Sequence, residues 1–327
     1  MKASHIISSM MHLFSVRQPV FLWGPPGVGK SQVIHQAATK MGIEIIDVRA
    51  ILLDPVDLRG LPKISNDGRS EWCSPAFLPK DGEGILFLDE LNAAPPLVQA
   101  ACYQLVLDRK IGEYQLPDGW AVVGAGNRES DKAVTYRMPS ALANRFVHID
   151  FSIDCEEWKN WAAQHDIHPD IVDFIDFRPG LLHDFDPHTD TRAFPSPRSW
   201  EFVSRLLDDD VDQEVLTELL QGTIGKGAAT EFIGFRELRN GLPKLEDIFT
   251  NPMKVIVPSD PSVLSATCEM VGKSATVEQA ENVINFADRL PEEFGVLLVR
   301  EAVRHCCDIV QTSHFTTWAA RNADVLV

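Results

Sequence analysis

Residues 20–31, VFLWGPPGVGKS, join a short apolar segment to a glycine-rich loop that ends in Lys30 and Ser31. The apolar segment predicts a β-strand, and the residues after the loop predict a helix over 31–41. A G-x-x-x-x-G-K-S/T pattern between a strand and a helix is typical of a phosphate-binding loop. We expect Lys30 to reach the β- and γ-phosphates of ATP and the Ser31 hydroxyl to coordinate Mg²⁺. The candidate nucleotide-binding residues of this loop (residues 24–31, the P-loop) are Gly24, Pro25, Pro26, Gly27, Val28, Gly29, Lys30 and Ser31.

Two acids follow a run of four apolar residues. Residues 84–88 read GILFL and predict a buried central strand, so Asp89 and Glu90 lie at its carboxyl end. Ligands of parallel α/β sheets bind at that edge. Asp89 is therefore the second candidate ligand of Mg²⁺, and Glu90 is the candidate that polarises an attacking water.

Three further polar residues are candidate catalytic residues. Asn127 follows the apolar segment 121–125, where it can hold the attacking water or a γ-phosphate oxygen. Arg145 lies between a short helix and the last strand, and Arg198 lies at the start of a helix. A cation at a helix N-terminus opposes the helix dipole, so Arg198 needs an anion nearby, such as a γ-phosphate.

The pattern along the chain predicts an α/β fold followed by helices. We expect parallel strands at 20–23, 44–48, 84–88, 121–125 and 146–151, helices at 31–41 and 95–107, and hairpins at about 60–73 and 110–117. Later helices are expected at 156–164, 169–177, 197–207, 212–220, 277–289 and 292–310, with a weaker segment at 240–261. This predicts a nucleotide-binding core over 1–152 and, over 153–327, a helical lid domain with a C-terminal helical extension. The sequence pattern is also compatible with a second domain boundary between residues 222 and 260.

Composition narrows the class of protein. The 327 residues are 45% hydrophobic and 24% charged, which is ordinary for a globular chain and argues against disorder. A net charge of −17 makes nucleic acid an unfavourable partner. The sequence has no apolar run of membrane-spanning length, so no membrane association is expected. The six cysteines lack C-x-x-C spacing and predict reduced thiols and a cytoplasmic location.

The P-loop and the polar residues that follow the later strands occur in an order that resembles the AAA+ ATPases. The resemblance is strongest to their MoxR-like, dynein-related branch. The matching strings are 24–31, Asp89-Glu90-Leu91-Asn92, 124–127 and Asn144-Arg145-Phe146, and the resemblance covers roughly residues 15–205. It implies an AAA+ P-loop NTPase core, with Asn127 as sensor 1, Arg145 as arginine finger and Arg198 as sensor 2. It also implies that the first hairpin is the helix-2 insert and the second the pre-sensor-1 hairpin.

The leading hypothesis for function is a Mg²⁺-dependent ATP hydrolase that forms a homo-oligomeric ring, hexameric in the usual case. The resemblance implies chaperone-like remodelling of a protein client, such as a protein with a von Willebrand factor A domain. One alternative is a nucleic-acid motor or loader of the same ATPase class. Another is a nucleotide-gated scaffold with little turnover, for which Glu90 and Arg145 would not be needed.

Overall fold

The computed structural model describes residues 1–131, 135–207 and 211–322. The chain divides into two compact units, Met1–Ala229 and Thr230–Val327. The predicted boundary near residue 152 lies inside the first unit, and the predicted interval 222–260 contains the division between the units. None of the helices in the described ranges combines the length and the apolar character that a membrane span requires.

The centre of the first unit, in the described part of the chain, is a five-stranded parallel sheet in the order β2-β5-β8-β1-β9. Because the strands are parallel, their carboxyl ends all meet at one edge. Two short antiparallel hairpins, β3-β4 and β6-β7, lie outside it. In chain order the strands are β1 (Val20–Trp23), β2 (Glu44–Arg49), β3 (Leu61–Ile64), β4 (Ser70–Cys73), β5 (Gly84–Asp89), β6 (Lys110–Ile111), β7 (Tyr114–Gln115), β8 (Trp120–Gly126) and β9 (Val147–Asp150).

Helices connect the strands and continue beyond them. α8 (Pro197–Leu206) is capped by Ser196, whose side chain accepts from the backbone N–H of Ser199, and its first residue is Pro197, where no N–H is needed. The helices that begin in the first unit are α1 (Ala3–Ser15), α2 (Lys30–Met41), α3 (Pro55–Arg59), α4 (Pro96–Asp108), α5 (Ser140–Ala143), α6 (Cys155–Ala162), α7 (Pro169–Phe177), α8 (Pro197–Leu206), α9 (Gln213–Ile224) and α10 (Lys226–Gly241).

The interior strand β5, between β2 and β8, is buried on both faces of the sheet. Ile85 and Phe87 belong to the hydrophobic cluster that includes residues of α1 and α2. Leu86 and Leu88 belong to the opposite cluster, which includes residues of α4. Successive side chains of a strand point to opposite faces, so a run of four apolar residues can be buried only between two layers. This packing holds the acids that follow β5 at the carboxyl edge.

The second unit is helical in its described residues. A separate hydrophobic cluster, which includes Leu264, Phe286, Leu298 and Trp318, forms its core. Its remaining helices are α11 (Leu245–Thr250), α12 (Pro261–Ser274), α13 (Ala280–Ala287), α14 (Glu292–His305) and α15 (Ser313–Arg321).

The predicted fold class is confirmed: a parallel sheet flanked by helices precedes a helical C-terminal region. Both predicted hairpins are present. The helix predicted over 292–310 is wrong at its end, because Cys306 leaves the helical region (φ −134°, ψ 86°) and a 3₁₀ turn follows. The helix predicted from 277 begins as a 3₁₀ turn and becomes α-helical at Ala280. α3 was not predicted, and the bounds of α10 and α12 were not specified by the sequence pattern.

Candidate nucleotide-binding site

The P-loop depends on two glycines in the left-handed region. Gly27 has φ +79° and Gly29 has φ +94°, values that side chains with a Cβ rarely adopt. A Cβ at Gly27 would also lie 2.7 Å from Oγ of Ser196, so this glycine lets the loop approach the start of α8. Gly29 is the N-cap of α2, and no described side chain caps that helix. The first backbone N–H groups of α2 can therefore bind an anion.

Lys30 folds back over the loop that carries it. Its Nζ donates to the carbonyl oxygens of Gly24 (2.6 Å) and Pro25 (3.1 Å) and to Oδ1 of Asn127 (2.8 Å). Burial lowers the pKa of Lys30 to about 8, although the nearby carboxylates of Asp89 and Asp131 favour its charged form. The lysine is thus a desolvated cation that an anionic ligand would stabilise.

Ser31 and Asp89 meet at the carboxyl end of β5. Ser31 Oγ donates to Asp89 Oδ2 at 2.9 Å, and the backbone N–H of Glu90 donates to Asp89 Oδ1 at 2.9 Å. Hydroxyl and carboxylate oxygens are the ligands that Mg²⁺ prefers. The two side chains therefore form a donor set that fits this ion.

Glu90 has a strained backbone beside this pair. Its φ of +54° lies in the left-handed region, which is unfavourable for a residue with a side chain and costs about 1–3 kcal/mol. The side chain is exposed, and its carboxylate is near enough to Lys30 to favour the charged lysine. Strain of this kind concentrates at functional sites, so the backbone here supports a functional role for Glu90.

A buried asparagine holds the segment that carries Asn127. Asn92 is only 2% exposed, and its Nδ2 donates to the backbone carbonyl of Asn127 at 2.7 Å. A Cβ at Gly126 would lie 1.9 Å from Asn92 Oδ1, so only glycine fits there without a rearrangement. Asn92 lies three residues after Asp89, and its role was not predicted from the sequence. A polar residue that follows a buried strand was the available signal.

Two further groups act on the site from other parts of the sequence, His183 by contact and Asp131 through its charge. His183 Nε2 lies 3.3 Å from the carbonyl oxygen of Pro26, and burial lowers the pKa of this histidine. Asp131 is 9% exposed and accepts from the backbone N–H of Arg128 at 2.9 Å. Asp131 favours the charged forms of both Lys30 and His183. Local sequence patterns carry no signal for either residue, because only the tertiary fold brings them to the P-loop.

The two candidate arginines occupy different places. The backbone N–H of Arg198 donates to the carbonyl of Gly27 at 3.3 Å, and the positive charge of Arg198 contributes to the low pKa of Lys30. Arg145 is exposed, and its guanidinium donates to the carbonyl of Ala141 at 3.0 Å. The structure therefore brings Arg198 to the P-loop, whereas the guanidinium of Arg145 contacts the preceding helix, α5.

A cavity of about 620 Å³ lies beside the P-loop within the first unit. Its volume is typical of small-molecule sites. The indole N–H groups of Trp158 and Trp161 are buried and have no hydrogen-bond partner among the described residues. The tryptophan rings and the other apolar side chains of the lining give the cavity apolar surface next to the phosphate-binding loop. Its lining, from α1, the P-loop, α2, α6 and α8, includes Ile7, Val28, Gln32, Trp158, Trp161 and Arg198.

Residues 20–151 match the model of the ATPase family associated with various cellular activities (AAA). This segment is an AAA domain. Midasin from Giardia intestinalis is 27% identical to the chain over 172 residues, which are 49% of this chain and 4% of midasin. The match therefore spans a small fraction of that relative's length.

Solved structures with similarity to the chain include two bacterial proteins. The RuvB Holliday junction branch migration motor of Thermotoga maritima is 18% identical with a TM-score of 0.43, over 76% of this chain and 75% of that chain. NtrX from Brucella abortus is 18% identical with a TM-score of 0.42, over 83% of this chain and 64% of that chain.

Within the AAA domain, the residues predicted to bind nucleotide and Mg²⁺ converge. Lys30 contacts Asn127, and Ser31 contacts Asp89, because β1, β5 and β8 end at the same edge of the sheet. Arg198, from outside the matched segment, contacts the same loop. The residues that contribute here without having been predicted are Asn92, Asp131 and His183.

Proposed function

We propose that the chain is a cytoplasmic, Mg²⁺-dependent ATP hydrolase of the MoxR-like type. The observation that carries the proposal is the convergence of Lys30, Asn127, Ser31 and Asp89 at the carboxyl edge of the sheet, beside the open N-terminus of α2. A cation, an amide and two oxygen ligands at one helix N-terminus match the needs of a bound triphosphate. The adjoining cavity supplies apolar space for the base and ribose.

The residues at the carboxyl edge of the sheet have distinct roles in binding ATP and Mg²⁺. Backbone N–H groups of the loop and the ammonium of Lys30 hold the phosphates. Ser31 and Asp89 would hold Mg²⁺, which supplies positive charge against the phosphate oxygens. Arg198, at the start of α8, adds a second cation on the same side of the loop.

Glu90 and Asn127 serve the attacking water. Glu90 is the exposed carboxylate next to the metal ligand Asp89, which suits it to orient the water and accept its proton. Asn127 already places its amide oxygen 2.8 Å from Lys30 Nζ, so its side chain lies where phosphates would bind. The remaining step, stabilisation of charge on the transferred group, needs an arginine.

We propose that Arg145 supplies this charge in trans, within a ring of identical subunits. Its guanidinium is exposed and contacts the preceding helix α5 rather than the P-loop, which leaves it available to a neighbouring copy. The proposed ring is hexameric and remodels a protein client, such as one with a von Willebrand factor A domain. The net charge of −17 disfavours a nucleic-acid substrate.

A Glu90→Gln variant tests the hydrolytic role. The amide cannot accept the proton of water, so steady-state phosphate release should fall by at least about a hundredfold. Binding of ATP and Mg²⁺ should persist, because the P-loop is unchanged. Glu71→Gln removes an exposed carboxylate from β4 and is the matched control, for which we expect parental turnover. Parental turnover in Glu90→Gln would refute the assignment, and a parental protein without ATPase activity would favour the scaffold alternative.

A further inference from the structure

A histidine joins the strand before the P-loop to the helix before Arg145. The indole N–H of Trp23 donates to Nδ1 of His148 at 2.8 Å, and Nε2 of His148 lies 2.8 Å from the carbonyl oxygen of Ala143. An indole N–H can only donate and a carbonyl can only accept. Both bonds therefore require a neutral imidazole with its proton on Nε2.

The two ends of this connection are functionally distinct parts of the first unit. Trp23 is the last residue of β1 and precedes Gly24, whose carbonyl accepts from Lys30. Ala143 is the last residue of α5, two positions before Arg145. The side chain of His148 bonds both Trp23 and Ala143. It does so from β9, the strand that pairs with β1.

Arg145 follows a single short turn of helix, α5. α5 has only four residues, and the backbone N–H groups of Arg145 and Phe146 donate to the carbonyls of Leu142 and Ala143 where the chain leaves it. The guanidinium of Arg145 is itself bonded to the Ala141 carbonyl of this short helix. The direction in which Arg145 leaves the domain thus depends on how the end of α5 is held. The bond from His148 to Ala143 links that end to β9, and Nε2 of Gln18, just before β1, donates to the backbone carbonyl of Arg145 at 3.2 Å.

Ring stacking supports the geometry of the histidine. His148 and Trp23 stack with ring centroids 5.9 Å apart and an interplanar angle of 23°, and Phe21 lies 6.1 Å away. His148 itself is exposed, so its hydrogen bonds compete with water and contribute little to the free energy of unfolding. Their effect is on orientation.

We propose that His148 is a positioning residue for Arg145, which it aims at the ATP of the neighbouring subunit by tying α5 to the strand that leads into its own P-loop. The inference rests on the proposed trans role of Arg145. A displacement of about 1 Å in a group that must meet a transition state can cost about a hundredfold in rate. The same connection gives the P-loop of one subunit a mechanical path to the site of the next.

Two substitutions at His148 separate positioning from stability. His148→Phe keeps a stacked ring but removes both hydrogen bonds, and we expect kcat to fall about tenfold or more while KM for ATP stays within about twofold. The melting temperature should change little. His148→Gln can accept from Trp23 and donate to Ala143 through one amide, so it should restore much of the lost kcat. Parental kcat in His148→Phe, a loss confined to KM, or no rescue by glutamine would overturn the proposal.

Rings that mix two variants show whether the loss of activity in His148→Phe arises at the ATP site of the neighbouring subunit. Lys30→Ala subunits cannot use their own P-loop but carry an intact His148 and Arg145, so they should raise the turnover of His148→Phe subunits when rings are mixed. The reference is the mixture of Arg145→Ala with Lys30→Ala, with mixed rings verified by differential tagging. If turnover recovers in the reference mixture but not in the mixture of His148→Phe with Lys30→Ala, the positioning role of His148 is overturned and the trans role of Arg145 stands. No recovery in the reference refutes the trans role of Arg145, and the inference falls with it.

Discussion

The affinity of this protein for ATP should fall as the pH rises from 7 to 9. Burial lowers the pKa of Lys30 to about 8 in the free protein, against the opposing effect of Asp89 and Asp131. Bound phosphates would favour the charged ammonium and return its pKa to at least the ordinary value near 10.5. The complex therefore binds more protons than the free protein above pH 8, and binding weakens as that proton becomes less available.

The size of the effect follows from the charged fraction of Lys30 in the free protein. With a pKa of about 8, that fraction is about 0.9 at pH 7 and about 0.1 at pH 9. The dissociation constant for ATP should thus rise about tenfold over this range, or about 1.4 kcal/mol. Below pH 7 this contribution should level off, because Lys30 is then fully charged.

Isothermal titration calorimetry at pH 7, 8 and 9 measures this dependence. Repeating the pH 8 titration in buffers of different ionisation enthalpy should show an uptake of about half a proton per ATP bound. Lys30→Arg is the matched control, because arginine stays charged throughout and the ionisation of ATP is the same in both proteins. An affinity that follows the same pH curve in both proteins, with no proton uptake at pH 8, would show that the Lys30 ammonium is not desolvated as described.

Two further predictions concern assembly and packing. With ATP and Mg²⁺, light scattering should find a species of about 218 kDa, six copies of the 36.4 kDa chain; a monomer under all conditions would remove the ring and the trans mechanism. Gly126→Ala should lower the free energy of unfolding by about 1–3 kcal/mol, because the new Cβ would lie 1.9 Å from Asn92 Oδ1. Gly222→Ala is the control in thermal melts, because a Cβ there meets nothing within 4 Å. A Gly126→Ala protein that melts at the same temperature as the parental protein would contradict the packing argument.

Local sequence was enough to predict the parts of the site that lie within one strand and the loop after it. The strand predicted at 20–23 is observed with the same bounds, and Lys30 and Ser31 follow it at the start of α2. Asp89 ends β5, whose apolar residues are buried on both faces as in an interior strand. These features depend on residue periodicity and on backbone preferences over a few positions, which the sequence contains directly.

Only the tertiary structure decided which of these parts touch. Asn127 reaches Lys30 because β8 pairs with β1, although the two residues are far apart in the chain. The contact of His183 with Pro26 and the bond between Trp23 and His148 arise in the same way. Such contacts depend on strand order and on how helices pack over the sheet. Periodicity predicts which face of an element is buried, but it does not specify the partner that buries it, so these neighbours follow from packing over the whole unit.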